Sequence, residues 1–332
     1  VVASMYLGRP PGEADQALVQ MLAYIALGAV VLPVLVGGKV YNTLQAVMTV
    51  KVLLVLGFCF FMGVFFVSPA NWWNVISGFF AFGNVTVVDA EGKEQIVNAF
   101  SYRWKNGEWP VIALANIAVL GAFAGYAGGG GLSNASYANY VRDKGWGMGH
   151  RVGAIPSAIG GKQVTLSHLG KVFPLTQENL VRWKGWWRYV LRDQLLIWGP
   201  GCFAGMALPA LLSLEFANYS PLSEGTSGLE WAQAVITADG IRNAPQFSAG
   251  VGGVLWVLTL IVGMAVLLPS QMSIVDSFSR RWTDIAWSGS RYVRDRMNPR
   301  HVGRLYYGIL LSYVVWSYLC AWYFTTHGSP KL

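Results

Sequence analysis

Apolar residues in this chain gather in runs much longer than a short core helix needs. A helix that crosses a bilayer takes about 20 predominantly apolar residues. Six stretches fit that pattern, at about 20–36, 44–67, 110–141, 194–214, 250–276 and 305–325. Pro110 opens the third, as a helix-start residue does; Gly199-Pro200-Gly201 interrupts the fourth and Pro269 lies inside the fifth. The polar stretches between them, 68–109, 142–193, 215–249 and 280–304, read as long loops. Two of these carry elements of their own. Asn71-Trp72-Trp73-Asn74 and the run to Phe82 predict a short interfacial or re-entrant helix. Trp183, Trp186 and Trp187, interleaved with Arg182, Lys184 and Arg188, predict an amphipathic helix lying at the membrane surface. The pattern therefore predicts an all-α polytopic membrane protein, one transmembrane domain of six spans.

Composition agrees: 54% of residues are hydrophobic and 12% charged, about half the charged fraction of a soluble protein. The net charge of +8 does not point to nucleic acid, because its placement alternates. Residues 142–193 hold nine Lys/Arg against three Asp/Glu, and residues 280–304 hold seven against two. Residues 215–239, by contrast, contain four acids. Alternation of this kind follows the positive-inside rule. It puts the basic stretches in the cytoplasm and predicts a multi-pass membrane protein, with the lipid bilayer as its standing partner. Cys59, Cys202 and Cys320 sit in apolar runs and read as small buried residues. His150, His168, His301 and His327 are scattered and form no metal-ligand pattern. Val1 to Gly8 reads like the tail of a preceding span, so the chain is expected to be part of a longer transporter or channel.

The third span holds the most suggestive chemistry. Gly121-Ala122-Phe123-Ala124-Gly125-Tyr126-Ala127 runs into Gly128-Gly129-Gly130-Gly131 before Leu132-Ser133-Asn134-Ala135-Ser136-Tyr137 resumes. Four glycines forfeit both helix propensity and packing, which predicts a broken helix at Gly128–Gly131. Unwound backbone at membrane depth survives where protein or a cavity satisfies it. Transporters use such breaks to bind ions with freed carbonyls. Ser133, Asn134 and Ser136 add neutral oxygens beyond the break, and Asn116 lies upstream. Close helix packing is the plain alternative for small residues in a span. No cofactor motif accompanies the run, and its ending lacks the Gly-Lys-Ser/Thr of a phosphate loop.

Lys51 and Asp276 are the ionisable residues furthest into spans, and a charge in a bilayer marks function by default. Asp276 follows the polar Pro269-Ser270-Gln271-Met272-Ser273, where Gln271 and Ser273 are expected to line one cavity. Hydration at the nearby interface is the plain alternative for both charges. Asn42 and Gln45, entering the second span, are weaker candidates. Arg142 and Asp143, in Tyr140-Val141-Arg142-Asp143-Lys144-Gly145-Trp146, read as topology anchors or as ion pairs that a gate must break.

Three features together, Tyr41-Asn42-Thr43-Leu44-Gln45 opening a span, the break ending Ser133-Asn134-Ala135-Ser136-Tyr137, and Asn139-Tyr140-Val141-Arg142-Asp143-Lys144-Gly145 after it, resemble the Nramp family of divalent-metal transporters, more closely its Nramp-related bacterial branch. The resemblance runs from Ala29 onward. It implies a LeuT-like inverted-repeat fold, here incomplete, with spans 44–67 and 110–141 as the family's fifth and sixth. Metal would bind between broken first and sixth spans, with proton-coupled uptake. Family members place an Ala-x-Met-Pro-His stretch at the sixth-span break; this chain has Tyr126-Ala127-Gly128-Gly129-Gly130-Gly131 there. The resemblance thus assigns substrate binding to Ala124, Gly125, Ala127, Gly128, Ser133, Asn134 and Tyr137, with Gly125, Ala127 and Asn134 as metal ligands. It leaves Asn116, Lys51, Arg142, Asp143, Gln271 and Asp276 for gating or coupling. A set of oxygens suits a hard or hydrated ion such as Mg²⁺ better than Fe²⁺ or Mn²⁺. The expected function is secondary transport of a divalent cation, not enzymatic catalysis. An amino-acid or small-solute carrier of the same superfold is the alternative; a membrane enzyme would need a cluster of catalytic side chains, which the scattered histidines do not provide.

Overall fold

In the computed structural model, residues 1–35, 40–88, 94–112, 133–151, 172–223 and 235–327 are described. They form a helical bundle with a single small hairpin. Its helices are α1 (Val2–Leu7), α2 (Gln16–Leu35), α3 (Val40–Phe66), α4 (Pro69–Phe80), α5 (Ala99–Asn106), α6 (Ser133–Asp143), α7 (Gln177–Asp193), α8 (Gly199–Phe216), α9 (Ile236–Asn243), α10 (Ala249–Gly289), α11 (Arg291–Arg296) and α12 (Val302–His327). Five described stretches are long and apolar enough to cross a membrane: Glu13–Leu35, Asn42–Phe66, Gln177–Tyr219, Ala249–Gly289 and Pro299–Thr326. The chain is a polytopic helical membrane protein. The glycine break and most of the third span, residues 113–132, lie outside the described residues.

The stretch 68–109, read as a loop, is structured. Ser68 caps α4, with Pro69 in the first turn, and Glu215 at the end of α8 secures that cap. The Glu215 carboxylate accepts the Ser68 backbone N–H at 2.9 Å, the Ser68 hydroxyl at 3.0 Å and the Asn71 amide at 2.9 Å. The predicted interfacial helix is therefore α4, with Trp73, Phe79 and Phe80 exposed on it. Strands β1 (Asn84–Val88) and β2 (Glu94–Asn98) then pair antiparallel, Asn84 opposite Asn98 and Val88 opposite Glu94. Alternating Val85 and Val87, with Gly92 before β2, were the signal for this hairpin.

The centre of the bundle is α10, which packs against α2, α3, α6, α9 and α12. Its 41 residues reach about 60 Å at 1.5 Å per residue, twice the hydrocarbon thickness. The helix of the span expected to stop at residue 276 continues through Arg280, Arg281 and Asp284 to Gly289. Charged residues lower hydropathy and so imitate a loop, but on one helix face they can neutralise each other. The stretch expected as loop 280–304 is instead the end of α10, then α11 and a short 3₁₀ turn. Likewise, stretch 142–193 contains the end of α6 and all of α7, and stretch 215–249 contains α9.

Two apolar cores flank the middle of α10. One joins Val30 and Val34 of α2, Leu44 of α3, Met272 and Val275 of α10 and Tyr306 and Leu310 of α12. The other joins Cys59 and Met62 of α3, Leu211 and Phe216 of α8, Ile241 of α9 and Val262 of α10. Cys59 is buried there as expected, whereas Cys202 and Cys320 are partly exposed; all three are unpaired. Near this second core α9 crosses the end of α8 at Gly240, where an added Cβ would overlap the Phe216 carbonyl. That neighbour is backbone and cannot swing aside. Gly240→Ala is expected to destabilise the protein by about 2–3 kcal/mol, as overpacking does, read as a lowered thermal midpoint in detergent. Gly250→Ala, where a Cβ meets nothing within 4 Å, serves as the neutral comparison.

Candidate functional site

One stripe of α10 carries Asp276, Ser279, Arg280 and Thr283, all at 0–1% exposure. Residues three, four and seven apart share a helix face, so the four fall in line. Ser279 and Thr283 satisfy themselves by donating to the carbonyls of Val275 and Ser279, at 2.8 and 2.7 Å. The charged pair needs partners from other elements.

Asp276 is the hub. Its Oδ1 accepts the Tyr306 hydroxyl of α12 at 2.6 Å. Its Oδ2 accepts Arg280 Nε at 2.8 Å and the Tyr140 hydroxyl of α6 at 2.9 Å. Arg280 also donates through Nη1 to Asp143 Oδ2 at the end of α6. Arg142 closes the far side, donating Nε to Asp143 Oδ1 at 3.1 Å. The Arg280 guanidinium lies 5.3 Å from the centre of the Tyr140 ring. Two carboxylates and two guanidiniums thus form an alternating, neutral row, with two tyrosine hydroxyls at one end. An outlying bond, Asn139 Nδ2 to Asp284 Oδ2 at 2.8 Å, completes the seam between α6 and α10. Residues 139, 140 and 143 meet 284, 276 and 280 out of sequence order, so the two helices cross rather than run side by side.

The row is not saturated. Among the described residues, Arg280 Nη2 and Arg142 Nη2 are buried without a hydrogen-bond partner. An unpaired buried donor costs about 1–3 kcal/mol. The closed arrangement therefore stands on strong pairs offset by a real penalty.

Beside the row lies a cavity of about 490 Å³, lined by α3, α6 and α10. Leu44, Gln45, Met48, Thr49, Val52 and Leu53, spaced as one face of α3, form its first wall. Tyr137, Tyr140 and Ser273 form the other. Tyr140 belongs to both features: it lines the cavity, and its hydroxyl binds Asp276 and meets Ser277 Oγ at 3.1 Å.

Of the residues singled out in the sequence, Asp276, Asp143 and Arg142 come together in one cluster. Asp276 is fully buried between helices, so neither snorkelling nor hydration at an interface explains it. Lys51 is elsewhere, its ammonium donating to Ser270 Oγ at 2.6 Å beside Pro269. Gln271 and Ser273 do not share a cavity wall, because helical residues two positions apart point about 200° away from each other. Ser273 faces the cavity with Gln45, whereas Gln271 Nε2 reaches the Tyr313 hydroxyl of α12 at 3.3 Å. Tyr137 does line the cavity. Asn116, Ala124, Gly125, Ala127 and Gly128 lie outside the described residues, as do the side chains of Ser133 and Asn134. Sequence reasoning missed Arg280, Tyr140 and Tyr306. The Asp276/Arg280 spacing of four residues was the available signal for the first; nothing local marked the tyrosines. Among the described residues no group of three or more His, Cys, Asp or Glu side chains is placed to hold a metal.

Comparison with protein-family models, curated proteins and solved structures finds no match.

Proposed function

We propose that this chain carries the working core of a secondary transporter that moves a divalent cation across a bacterial inner membrane, in exchange for or together with protons. The observation that carries the reading is Tyr140, one side chain shared by a cavity and a buried charge row. A solute that displaces the Tyr140 ring alters a bond to Asp276, and through Asp276 the Arg280–Asp143 link between α10 and α6. Helix α6 directly follows the glycine run, so a rearrangement there is transmitted to the row. In this reading the row is a latch at the cytoplasmic side, closed by ion pairs and kept releasable by its two unpaired guanidinium donors.

Gln45, Thr49, Tyr137, Tyr140 and Ser273 offer the cavity neutral polar groups. Such a set favours a hydrated hard ion, Mg²⁺ above all. Met48 is a thioether on the same wall, which keeps Mn²⁺ and Fe²⁺ within the chemistry. Leu44, Val52 and Leu53 give the cavity an apolar side, the one observation that favours an amino acid or other small organic solute.

Uptake by the full-length protein in proteoliposomes decides between these readings, with Mg²⁺, Mn²⁺, Fe²⁺ and an amino-acid panel, with and without a pH gradient. Saturable cation uptake is the expected result, reduced at least about tenfold when Gly128 to Gly131 are all replaced by alanine. Uptake confined to an amino acid supports the second reading. If no cation moves and none competes, the metal reading falls.

A further inference from the structure

We infer that α7 is a docking surface for anionic phospholipid headgroups, and that its attachment to the lipid bears on the charge row. The three sides of α7 differ. One faces the protein: Trp186 and Tyr189 pack around Trp146, with ring centres 6.1 and 5.3 Å away, and Asp193 lies against Tyr137. A second side is apolar and exposed, with Leu180, Trp183, Trp187 and Leu191. Trp183 and Trp187 stack on each other, ring centres 6.1 Å apart, and both stay exposed. A row of Lys184, Arg188 and Arg192, four residues apart and all exposed, borders that apolar side. Neither acid of the helix neutralises this row. Glu178 is bonded to Arg182 at 2.5 Å, and Asp193 faces Tyr137 on the protein side.

An aromatic face bordered by cations matches one surface in particular, the acyl–headgroup boundary of a bilayer containing anionic lipid. Tryptophan settles at that depth, and each Lys or Arg beside it gains from a negative headgroup layer. The helix is also well placed to lie there. It is followed by a π-helical turn, Gln194–Trp198, and by Pro200, and both features are causes of a bend before the spanning α8.

The protein side of α7 leads to the latch. Trp146 sits in the turn that ends α6, where Gly145 and Gly147 take φ of 84° and 58°, a left-handed backbone that favours glycine. Lys144 lies 4.4 Å above the Trp146 ring. Asp143 and Arg142 immediately precede this turn, and Tyr137 lines the cavity. A lipid-held α7 therefore grips α6 at the two places that matter, the cavity wall and the carboxylate that holds Arg280. Anionic lipid steadies the closed row.

Hydrogen–deuterium exchange of the full-length protein in nanodiscs tests this without any assumption about transport. Discs of phosphatidylcholine alone are compared with discs holding about 30% phosphatidylglycerol. Exchange in α7 is expected to slow on the order of tenfold with the anionic lipid, and to recover at about 0.5 M salt. Residues 139–147 should slow with it. The variant K184Q/R188Q/R192Q should lose the lipid dependence while α8 and α12 exchange as before. If that variant does not fold, the lipid and salt comparison on the native protein decides alone. Equal exchange of native α7 in both discs overturns the docking surface, as does lipid dependence that survives the triple substitution. Trp146→Ala should leave the α7 response intact and remove that of residues 139–147; a response that persists there overturns the coupling.

Discussion

Arg280→Met is expected to destabilise the protein by about 3–5 kcal/mol, the range for removing one partner of a buried ion pair. The substitution roughly keeps the aliphatic volume of the stem, so the loss is electrostatic. It leaves Asp276 and Asp143 as buried carboxylates with no guanidinium between them, and removes the ion pair that ties α6 to α10 at their crossing. Arg142 still reaches Asp143, but nothing charged then reaches Asp276 among the described residues. The triple variant D143N/D276N/R280M should recover about half of the lost stability or more, because no uncompensated carboxylate remains. Equilibrium unfolding in detergent, or the thermal midpoint, measures both variants. A native-like R280M would show that this charge is not held in a buried pair.

Asp276→Asn is expected to open the latch without emptying the core. Asparagine has nearly the shape of aspartate, but it replaces one accepting oxygen with a donating amide. Tyr306, Tyr140 and Arg280 Nε all donate to Asp276, so at least one meets another donor. Losing one hydrogen bond to a charged acceptor amounts to about 1.5–3 kcal/mol, roughly a ten- to hundredfold shift in a two-state equilibrium. A cysteine placed at Ser273, in the cavity wall one turn before Asp276, reports the opening. With Cys59, Cys202 and Cys320 replaced by alanine, an impermeant maleimide should label Ser273→Cys at least about tenfold faster when Asp276→Asn is also present. Uptake should fall in parallel, since a latch that stays open cannot alternate. Unchanged labelling removes the latch role from Asp276 and leaves it a structural hub.

These two residues differ in how legible they were. Asp276 stood out because a carboxylate inside an apolar run is conspicuous whatever surrounds it. Arg280 looked like the first residue of a basic loop, because a hydropathy scan counts each charge as exposed. The scan has no means of seeing that Asp276 one turn before and Asp143 on another helix neutralise it. The same blindness hides that the helix of the fifth span runs past residue 276 to Gly289. Tyr140 and Tyr306 are ordinary residues in aromatic-rich helices, and only the crossing of α6, α10 and α12 gives their hydroxyls a shared acceptor. For α7 the period of 3.6 was enough to reveal two faces, but not the third, which is defined by Trp146 from a distant turn.

What the sequence determined by itself is the class of the molecule and the stretches long and apolar enough to cross a bilayer. The bilayer imposes a length and a polarity on every crossing helix, and those constraints are written in consecutive residues. Pairing is not local in that way. Whether a charge ends in water or in the core depends on what another helix, more than a hundred residues away, brings within 3 Å. That choice was made by the tertiary structure: it buried Asp276, Arg280 and Asp143 together, left Gln271 out of the cavity, and gave Tyr140 two duties.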